Sequence, residues 1–219
     1  MPRSLVFSLL VLFSGIALAD PPRVAIIIDD LGYHFANGKR AIELPGSITF
    51  SFLPGSPRAR TLADHAHASG KEVLLHLPLQ ANTTDETPEP SEIDLEMSQA
   101  LVGDTFTAAL EAVPHFVGIN SHRGSLLTRH PGHMTWLMQE IAKREQLFFI
   151  DSYTTHHSVA LQIAREAGID TVKRDVFLDP DREPETVARE FERMKDLARR
   201  QGQVVAIGHP YPSTLELLE

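Results

Sequence analysis

The chain has 219 residues, a net charge of −9, 11 histidines and no cysteine. An acidic chain without a basic cluster is a poor candidate for binding nucleic acid or an anionic membrane surface. The lack of cysteine excludes disulfides, thiolate metal ligands and a cysteine nucleophile, so a hydrophobic core must hold the fold together.

The first 19 residues have the composition of an export signal. Arg3 supplies a positive charge, residues 5–18 are largely apolar, and residues 17–19 read Ala-Leu-Ala, a small-x-small cleavage pattern. The apolar stretch is shorter than the roughly 20 residues that a membrane span needs. We predict a cleaved signal peptide over 1–19, a single domain over 20–219, no transmembrane span after cleavage and a periplasmic or secreted location. A retained N-terminal anchor is the alternative.

Strand-like and helix-like segments alternate along the rest of the chain. Short apolar runs predict seven strands, near residues 24–29, 48–53, 72–77, 116–121, 147–151, 171–176 and 203–208. Helical patterns fill most gaps, and they are clearest over 183–201, where Gly202 follows. Alternation of this kind implies parallel strands with right-handed crossovers. We expect an α/β fold, a small (β/α) barrel of seven strands, with an open sheet as the rival.

Residues 81–96 break this alternation. The segment is polar and contains Pro88 and Pro90, so it is expected to be a surface loop over the strand ends. Such a loop could cover a site, and it could equally be a solvated insertion.

Four of the apolar runs stop at residues that can bind a metal or move a proton. Asp29 and Asp30 end the first run, His76 ends the third, His122 follows the fourth and His209 follows the last. Because the carboxyl ends of parallel strands meet at one rim, where ligands bind in α/β folds, we expect these side chains to converge.

One carboxylate and two imidazoles leave a coordination position open for water, as catalytic zinc sites do. We assign Asp30, His76 and His122 to such a metal site. Asp29 is then the base that deprotonates the attacking water, and His209 is the acid that protonates the leaving amine. The alternative reading of each residue is a helix cap, a turn residue or a hydrogen-bonded core residue.

Other residues near the strand ends are candidates for substrate binding or for orienting the base and the imidazoles. Asn120 and Arg123 flank His122 in a stretch of small and polar residues, whereas Asp151, Arg174 and Asp175 end the fifth and sixth predicted strands.

These residues resemble the divergent polysaccharide deacetylase family, whose relatives are the NodB-homology carbohydrate esterases. The resemblance covers nearly the whole chain after residue 19. It rests on six motifs in order, at residues 28–32, 75–78, 118–125, 149–152, 173–179 and 207–210. It implies a distorted (β/α) barrel, export, a divalent metal that is usually zinc, and a polysaccharide or oligosaccharide substrate.

In the wider NodB group the first aspartate of the Asp-Asp motif is the base and the second binds the metal. Asp29 and Asp30 occupy those positions, and His209 matches the histidine that closes the last strand, the general acid. The chain departs from the group at two points. Gln80 stands where the second histidine of a His-x-x-x-His motif is expected, and no Arg-x-Pro-Tyr motif is present. His122, from the next strand, is the expected replacement ligand.

Three functional hypotheses follow. The first is an exported metal-dependent hydrolase that removes N-acetyl groups from an envelope polysaccharide. The second is a non-catalytic module that uses the same barrel to bind a glycan or a metal. The third is a structural protein of the envelope, in which the histidines are core residues or caps and no metal is bound.

Overall fold

The computed structural model describes residues 20–83 and 87–219, so the predicted signal peptide over 1–19 lies outside the described residues. Within the described part, eight strands and seven α-helices alternate except at the sixth and seventh strands, which follow each other directly. The strands are β1 Arg23–Leu31, β2 Ile48–Phe52, β3 Glu72–Leu79, β4 Phe116–Arg123, β5 Phe148–Asp151, β6 Thr171–Lys173, β7 Val176–Phe177 and β8 Gln203–Gly208. The helices are α1 Phe35–Ile42, α2 Ala59–Ala68, α3 Gln99–Ala112, α4 Pro131–Ala142, α5 Ala160–Glu166, α6 Pro184–Gln201 and α7 Pro212–Leu218.

All strand pairs in the sheet are parallel, in the order β6-β5-β4-β3-β2-β1-β8-β7. Ile27, Leu74, Ile150 and Ile207 form one buried cluster, although they come from β1, β3, β5 and β8. Side chains from strands that are not neighbours can meet in this way only if the sheet curls around them, as in a barrel interior. The predicted α/β barrel is therefore present, in the form of an open barrel.

The prediction of seven strands was wrong by one, because the segment predicted as a single strand over 171–176 is two strands. The Arg174 amide donates to the Asp151 carbonyl on one side, and the Asp175 amide donates to the Val205 carbonyl on the other. The chain thus changes its partner from β5 to β8 within two residues. This change places β6 and β7 at the two edges of the sheet.

The helices cover the outer face of the barrel and bury their apolar sides against it. The predicted helix over 183–201 is confirmed as α6, which ends at Gly202 in the left-handed conformation with φ 81°. The hydroxyl of Ser98 caps α3 by accepting a hydrogen bond from the Leu101 amide at 3.3 Å. Among the described residues, no helix combines the length and the apolar character that crossing a membrane requires.

The described part of the segment over 81–96 packs beside the end of β3. Ile93 is fully buried, its amide donates to the Pro78 carbonyl, and its own carbonyl accepts from the Gln80 amide. The Gln80 side chain also accepts a hydrogen bond from the Leu95 amide at 3.0 Å. Gln80, which stands where a second histidine was expected, therefore anchors this segment next to the strand ends.

Candidate metal centre at the carboxyl ends of the strands

Two adjacent carboxylates enter the same site because β1 is irregular at its end. Ile28 pairs with Phe50 but Leu31 pairs with Phe52, so β1 contains one extra residue relative to β2. Asp30 lies in this bulge with φ 58°, a left-handed conformation that aspartate tolerates better than most residues. The bulge relieves the strict alternation of a strand. Asp29 and Asp30 can therefore both face the end of the barrel.

Three ligand atoms converge at this end of the barrel. Asp30 Oδ1 lies 3.0 Å from His122 Nδ1 and 3.2 Å from His76 Nε2. The two ring nitrogens are 3.0 Å apart. Ligands placed about 2.0–2.1 Å from a zinc ion at tetrahedral angles are separated by about 3.3 Å, so the three atoms are close to the spacing of a metal site.

The environment of Asp30 also fits a cation. Its Oδ1 atom is buried and has no well-aligned hydrogen bond from the described residues. Burial raises the pKa of Asp30, but the interactions with His122 and His76 outweigh burial and hold this pKa well below its usual value. An ionised carboxylate oxygen surrounded by ring nitrogens is a suitable ligand for a divalent ion. Of the described residues, only Asp30, His76 and His122 form a group of this kind.

Asn120 fixes the orientation of His76. The carboxamide nitrogen of Asn120 donates to Asp29 Oδ1 at 2.7 Å, so its oxygen faces His76 Nδ1 at 2.8 Å and the Ser51 hydroxyl. Because that oxygen can only accept, His76 Nδ1 carries a proton, and Nε2 is the ring nitrogen that faces Asp30. Asn120 is fully buried, as is Ser51.

Asp29 is almost completely buried beside this cluster. Its Oδ1 atom accepts the hydrogen bond from Asn120, and its Oδ2 atom lies 3.5 Å from His76 Nε2. Burial raises the pKa of Asp29, and the nearby His76 and His209 offset this effect only in part. A carboxylate with a raised pKa is a stronger base than an exposed aspartate.

His209 is held by Asp179, a residue to which the sequence prediction gave no role. His209 Nδ1 lies 2.9 Å from Asp179 Oδ1, and the His209 amide donates to Asp179 Oδ2 at 2.6 Å. Burial lowers the pKa of His209, but the hydrogen bond to Asp179 and the charge of Asp30 raise it to about 9. The ring is therefore protonated at neutral pH. Its Nε2 atom points toward the site, 3.5 Å from Asp30 Oδ2.

Asp179 could have been found from the sequence. It follows the apolar residues Val176 and Leu178, as Asp30 and His76 follow their own runs. Its side chain also accepts a hydrogen bond from the Thr214 hydroxyl at 2.7 Å. A carboxylate that is fully buried and bonded in this way acts by holding the ring of His209 in place.

The remaining predicted residues are divided between the site and the strand framework. Arg123 borders the site and pairs with Glu89, with Nη2 and Oε1 3.1 Å apart. Asp151 accepts hydrogen bonds from the Tyr153 amide at 2.8 Å and the Ser158 hydroxyl at 2.7 Å, so it shapes the turn after β5.

Arg174 and Asp175 point to opposite ends of the barrel. Arg174 borders a cavity beside Asp29 and donates from Nε to the Ser152 carbonyl at 2.6 Å. Asp175 accepts a hydrogen bond from the Val205 amide at 2.9 Å and lies among residues that begin β1 and β8. The structure therefore does not bring Asp175 to the site. The two-residue change of strand partner turns it away.

Two cavities meet at the candidate metal centre. An outer groove of about 670 Å³ runs past Asp30 and His122 and is bordered by Tyr33, Tyr211 and Arg182. An inner cavity of about 170 Å³ lies on the side of Asp29 and His209. Its residues are Asp29, His76, Ser121, His122, Arg123, Ser152, Thr154, Arg174, Phe177, Ile207 and His209. His122 and Arg123 border both cavities.

Comparison with known sequences identifies relatives over most of the chain. The family model described as divergent polysaccharide deacetylase matches residues 26–219. The uncharacterized protein YibQ of Escherichia coli K12 is 39% identical over 215 residues, which cover 98% of this chain and 66% of that protein. An uncharacterized protein of Haemophilus influenzae Rd is 36% identical over 197 residues, which cover 90% of this chain and 70% of that protein. The chain spans about two thirds of the length of these relatives.

Comparison with solved structures identifies the same fold. The uncharacterized protein ATU2773 from Agrobacterium tumefaciens C58 superposes with a TM-score of 0.87 at 22% identity, covering 91% of this chain and 82% of that one. The lactam utilization protein from Thermus thermophilus superposes with a TM-score of 0.57 at 18% identity, covering 90% of this chain and 94% of that one. At these identities the likeness concerns the fold alone.

Proposed function

The chain belongs to the divergent polysaccharide deacetylase family, and on that premise we propose that it is an exported, metal-dependent hydrolase. Its reaction would be the removal of N-acetyl groups from a polysaccharide of the cell envelope. One observation carries this proposal: Asp30, His76 and His122 converge within bonding range of one ion, with Asp29 and His209 beside them. The proposed location, periplasmic or secreted, rests on the sequence pattern of residues 1–19.

The residues present fit a divalent cation, and NodB-like deacetylases use one. Bound by Asp30, His76 and His122, such a cation would supply the Lewis acidity that lowers the pKa of water and polarises a carbonyl group. Zinc is the ion we propose, because one carboxylate and two imidazoles form a ligand set of the kind found in catalytic zinc sites.

The two groups beside the ligands supply the base and the acid that amide hydrolysis needs. Asp29, with a raised pKa and one oxygen held by Asn120, accepts the proton of the attacking water. His209, protonated through its contact with Asp179, donates a proton to the nitrogen that leaves. Asp29 thus removes one proton from the water, and His209 supplies one proton to the leaving nitrogen, so the two transfers use separate atoms of the site.

The outer groove supports a polysaccharide as the substrate. The ring of Tyr211 packs against His209 and Arg182, whereas Tyr33, a large residue at the groove, is 42% exposed. Its hydroxyl donates to Glu89 at 2.9 Å, which holds the side chain at the edge of the groove. Apolar ring faces combined with hydroxyl, carboxylate and guanidinium groups suit the mixed surface of a sugar chain.

The test is acetate release from acetylated chitooligosaccharides and from peptidoglycan, measured with zinc and with excess chelator. We expect zinc-dependent release that falls by at least about 100-fold in the Asp29→Asn and His209→Gln variants, since each removes one proton-transfer group. His115→Gln is the matched control, because His115 pairs with Asp64 on an exposed surface outside the site.

Two results would overturn the proposal. Release that persists at the wild-type rate in Asp29→Asn would remove the base from the mechanism. Zinc and glycan binding without any release would favour the non-catalytic module instead.

A further inference from the structure

The inner cavity is bordered by the guanidinium of Arg174, on which the charges of Asp29 and Asp151 act without direct contact. Arg174 borders this cavity and forms no ion pair with any carboxylate among the described residues within 4.0 Å. Its guanidinium stacks against the Phe177 ring, with Cζ 4.6 Å from the ring centroid. Burial lowers the pKa of Arg174, which indicates that its charge is poorly solvated there. Arginine nevertheless stays charged in proteins.

Most of the hydrogen-bonding capacity of Arg174 is also unused. It donates from Nε to the Ser152 carbonyl at 2.6 Å and from Nη2 to the Tyr153 carbonyl at 3.1 Å. These two bonds fix the position of the guanidinium at the end of β5. A guanidinium has five N–H groups, so three are not used in these two bonds.

A second polar group in the same wall lacks a partner. Ser152 is only 5% exposed, and its hydroxyl oxygen is buried without a hydrogen bond to any described residue. Leaving a buried hydroxyl unpaired costs stability, so its presence calls for a partner that enters the cavity. Phe177 and Ile207 line the same cavity with apolar surface.

The cavity is larger than an acetyl group requires. Its volume of about 170 Å³ corresponds to roughly five or six water molecules at about 30 Å³ each. An acetyl group has three non-hydrogen atoms. It would therefore fill only part of this space, which also borders the proposed metal ligands His76 and His122.

We infer that the inner cavity is a subsite for a carboxylate carried by the substrate, bound by the fork of Arg174 and the hydroxyl of Ser152. This inference rests on the proposed function only for the identity of the reaction. A carboxylate matches the guanidinium in charge and geometry. Two kinds of substrate place one there: an amide whose acyl group ends in a carboxylate, or an N-acetylated sugar that carries a carboxylate beside the amide.

For the first kind of substrate the reaction balances with water alone. Water adds its oxygen to the acyl carbon, the C–N bond breaks and the nitrogen gains a proton. The products are an amino sugar and a dicarboxylate.

The test does not depend on turnover. Isothermal calorimetry on the zinc-supplied protein compares acetate with malonate, succinate and glutarate, which differ only in a second carboxylate and its reach. We expect at least one dicarboxylate to bind at least tenfold more tightly than acetate. Arg174→Gln should abolish this preference and Arg174→Lys should restore part of it, because lysine keeps the charge but lacks the fork.

Two further variants separate recognition from folding. Ser152→Ala removes only the unpaired hydroxyl and should weaken dicarboxylate binding about threefold or more in a normally folded protein. Arg165→Gln is the matched control, since Arg165 is an exposed arginine that borders a different cavity, and it should keep the full preference. The inference is overturned if no dicarboxylate is preferred over acetate, or if the preference survives in Arg174→Gln.

Hydrolysis assays then distinguish the two kinds of substrate. An acyl carboxylate predicts faster cleavage of N-succinylated than of N-acetylated glucosamine oligomers. A sugar carboxylate predicts faster acetate release from an N-acetylated sugar that bears a lactyl group. In either case the rate on the substrate with the carboxylate, divided by the rate on the matching substrate without it, should fall at least tenfold in Arg174→Gln. An equal fall on all substrates would show that Arg174 serves Asp29 alone and would contradict the inference.

Discussion

Asn120 joins the proposed base to a proposed metal ligand through one side chain. It donates to Asp29 and accepts from His76 and Ser51 in a fully buried position. Hydrogen-bond partners of metal-ligating histidines set the tautomer and the direction of the ring. The position of Asn120 therefore explains how one residue could influence both metal binding and proton transfer.

We predict that Asn120→Ala lowers the free energy of unfolding by about 2 kcal/mol or more, because several buried polar groups lose their partner together. Zinc affinity should fall about 10–100-fold. Denaturant unfolding and a zinc competition assay measure the two effects. Asn37→Ala is the control, since Asn37 makes one part-buried bond, to the Pro210 carbonyl, and should cost about 1 kcal/mol or less. Unchanged zinc affinity in Asn120→Ala would contradict the assigned role.

We predict that the buried carboxyl group of Asp151 contributes more to the stability of the fold as the pH falls. Burial raises the pKa of Asp151 above the unfolded value of about 3.9, although Ser158 and the Tyr153 amide partly offset this. As the pH falls, the folded state takes up this proton before the unfolded state does. Protonation of Asp151 therefore stabilises the fold between its folded pKa and the unfolded value.

The comparison of wild type with Asp151→Asn isolates this effect. As the pH is lowered from 7 to 4, the unfolding free energy of the wild type should rise relative to that of Asp151→Asn. Denaturant unfolding at several pH values, on metal-free protein, measures it. Parallel curves for the two proteins, or a shift of the opposite sign, would show that Asp151 does not carry an unfavourable buried charge.

At the scale of the elements, the end of β1 determines the geometry of the site. The bulge at Asp30 is followed by Gly32, whose φ of +129° suits glycine and few other residues. A Cβ atom at Gly32 would lie 1.7 Å from Ser56 Oγ, and the Ser56 side chain is held by a hydrogen bond to the Leu53 carbonyl. The turn after the two aspartates can therefore pack against the next loop only if position 32 has no side chain.

We predict that Gly32→Ala destabilises the protein by about 3 kcal/mol or more, since it combines backbone strain with a steric clash. Gly46→Ala is the matched control, because Gly46 also has a positive φ, 81°, but a Cβ atom there meets nothing within 4 Å. It should cost about 1 kcal/mol. Thermal or denaturant unfolding measures both variants, and adding Ser56→Gly to Gly32→Ala should recover part of the loss. Equal costs for the two alanine variants would contradict the clash.

The elements also show how far the sequence could predict the fold. Periodicity predicted most of the helices and strands, although not α1 and α7, because apolar runs and glycine stops are local signals. The division of 171–176 into β6 and β7 is not local. It depends on which neighbouring strand offers the hydrogen bonds to Arg174 and Asp175. For the same reason the direction of the Asp175 side chain could not be predicted from its position after an apolar run.

At the scale of the whole molecule, the candidate site is assembled from segments that begin at Asp29 and end at His209. The rule that parallel strands present their carboxyl ends at one rim was sufficient to predict that Asp30, His76 and His122 converge. The rule does not give the contacts beyond these ends. The contacts of Asn120 with three side chains and of Asp179 with His209 depend on the register between strands, which a single sequence does not show.

The central claim is that strands β1, β3 and β4 together hold one divalent cation. The most direct test is elemental analysis of the protein purified without a histidine tag and dialysed after exposure to zinc. We predict one zinc per chain in the wild type and in Asp29→Asn, whose side chain is assigned to proton transfer. We predict less than about 0.1 per chain in Asp30→Ala and His122→Ala, which each lose one of three ligands. A wild type without bound metal, or the same metal content in Asp30→Ala, would contradict the account.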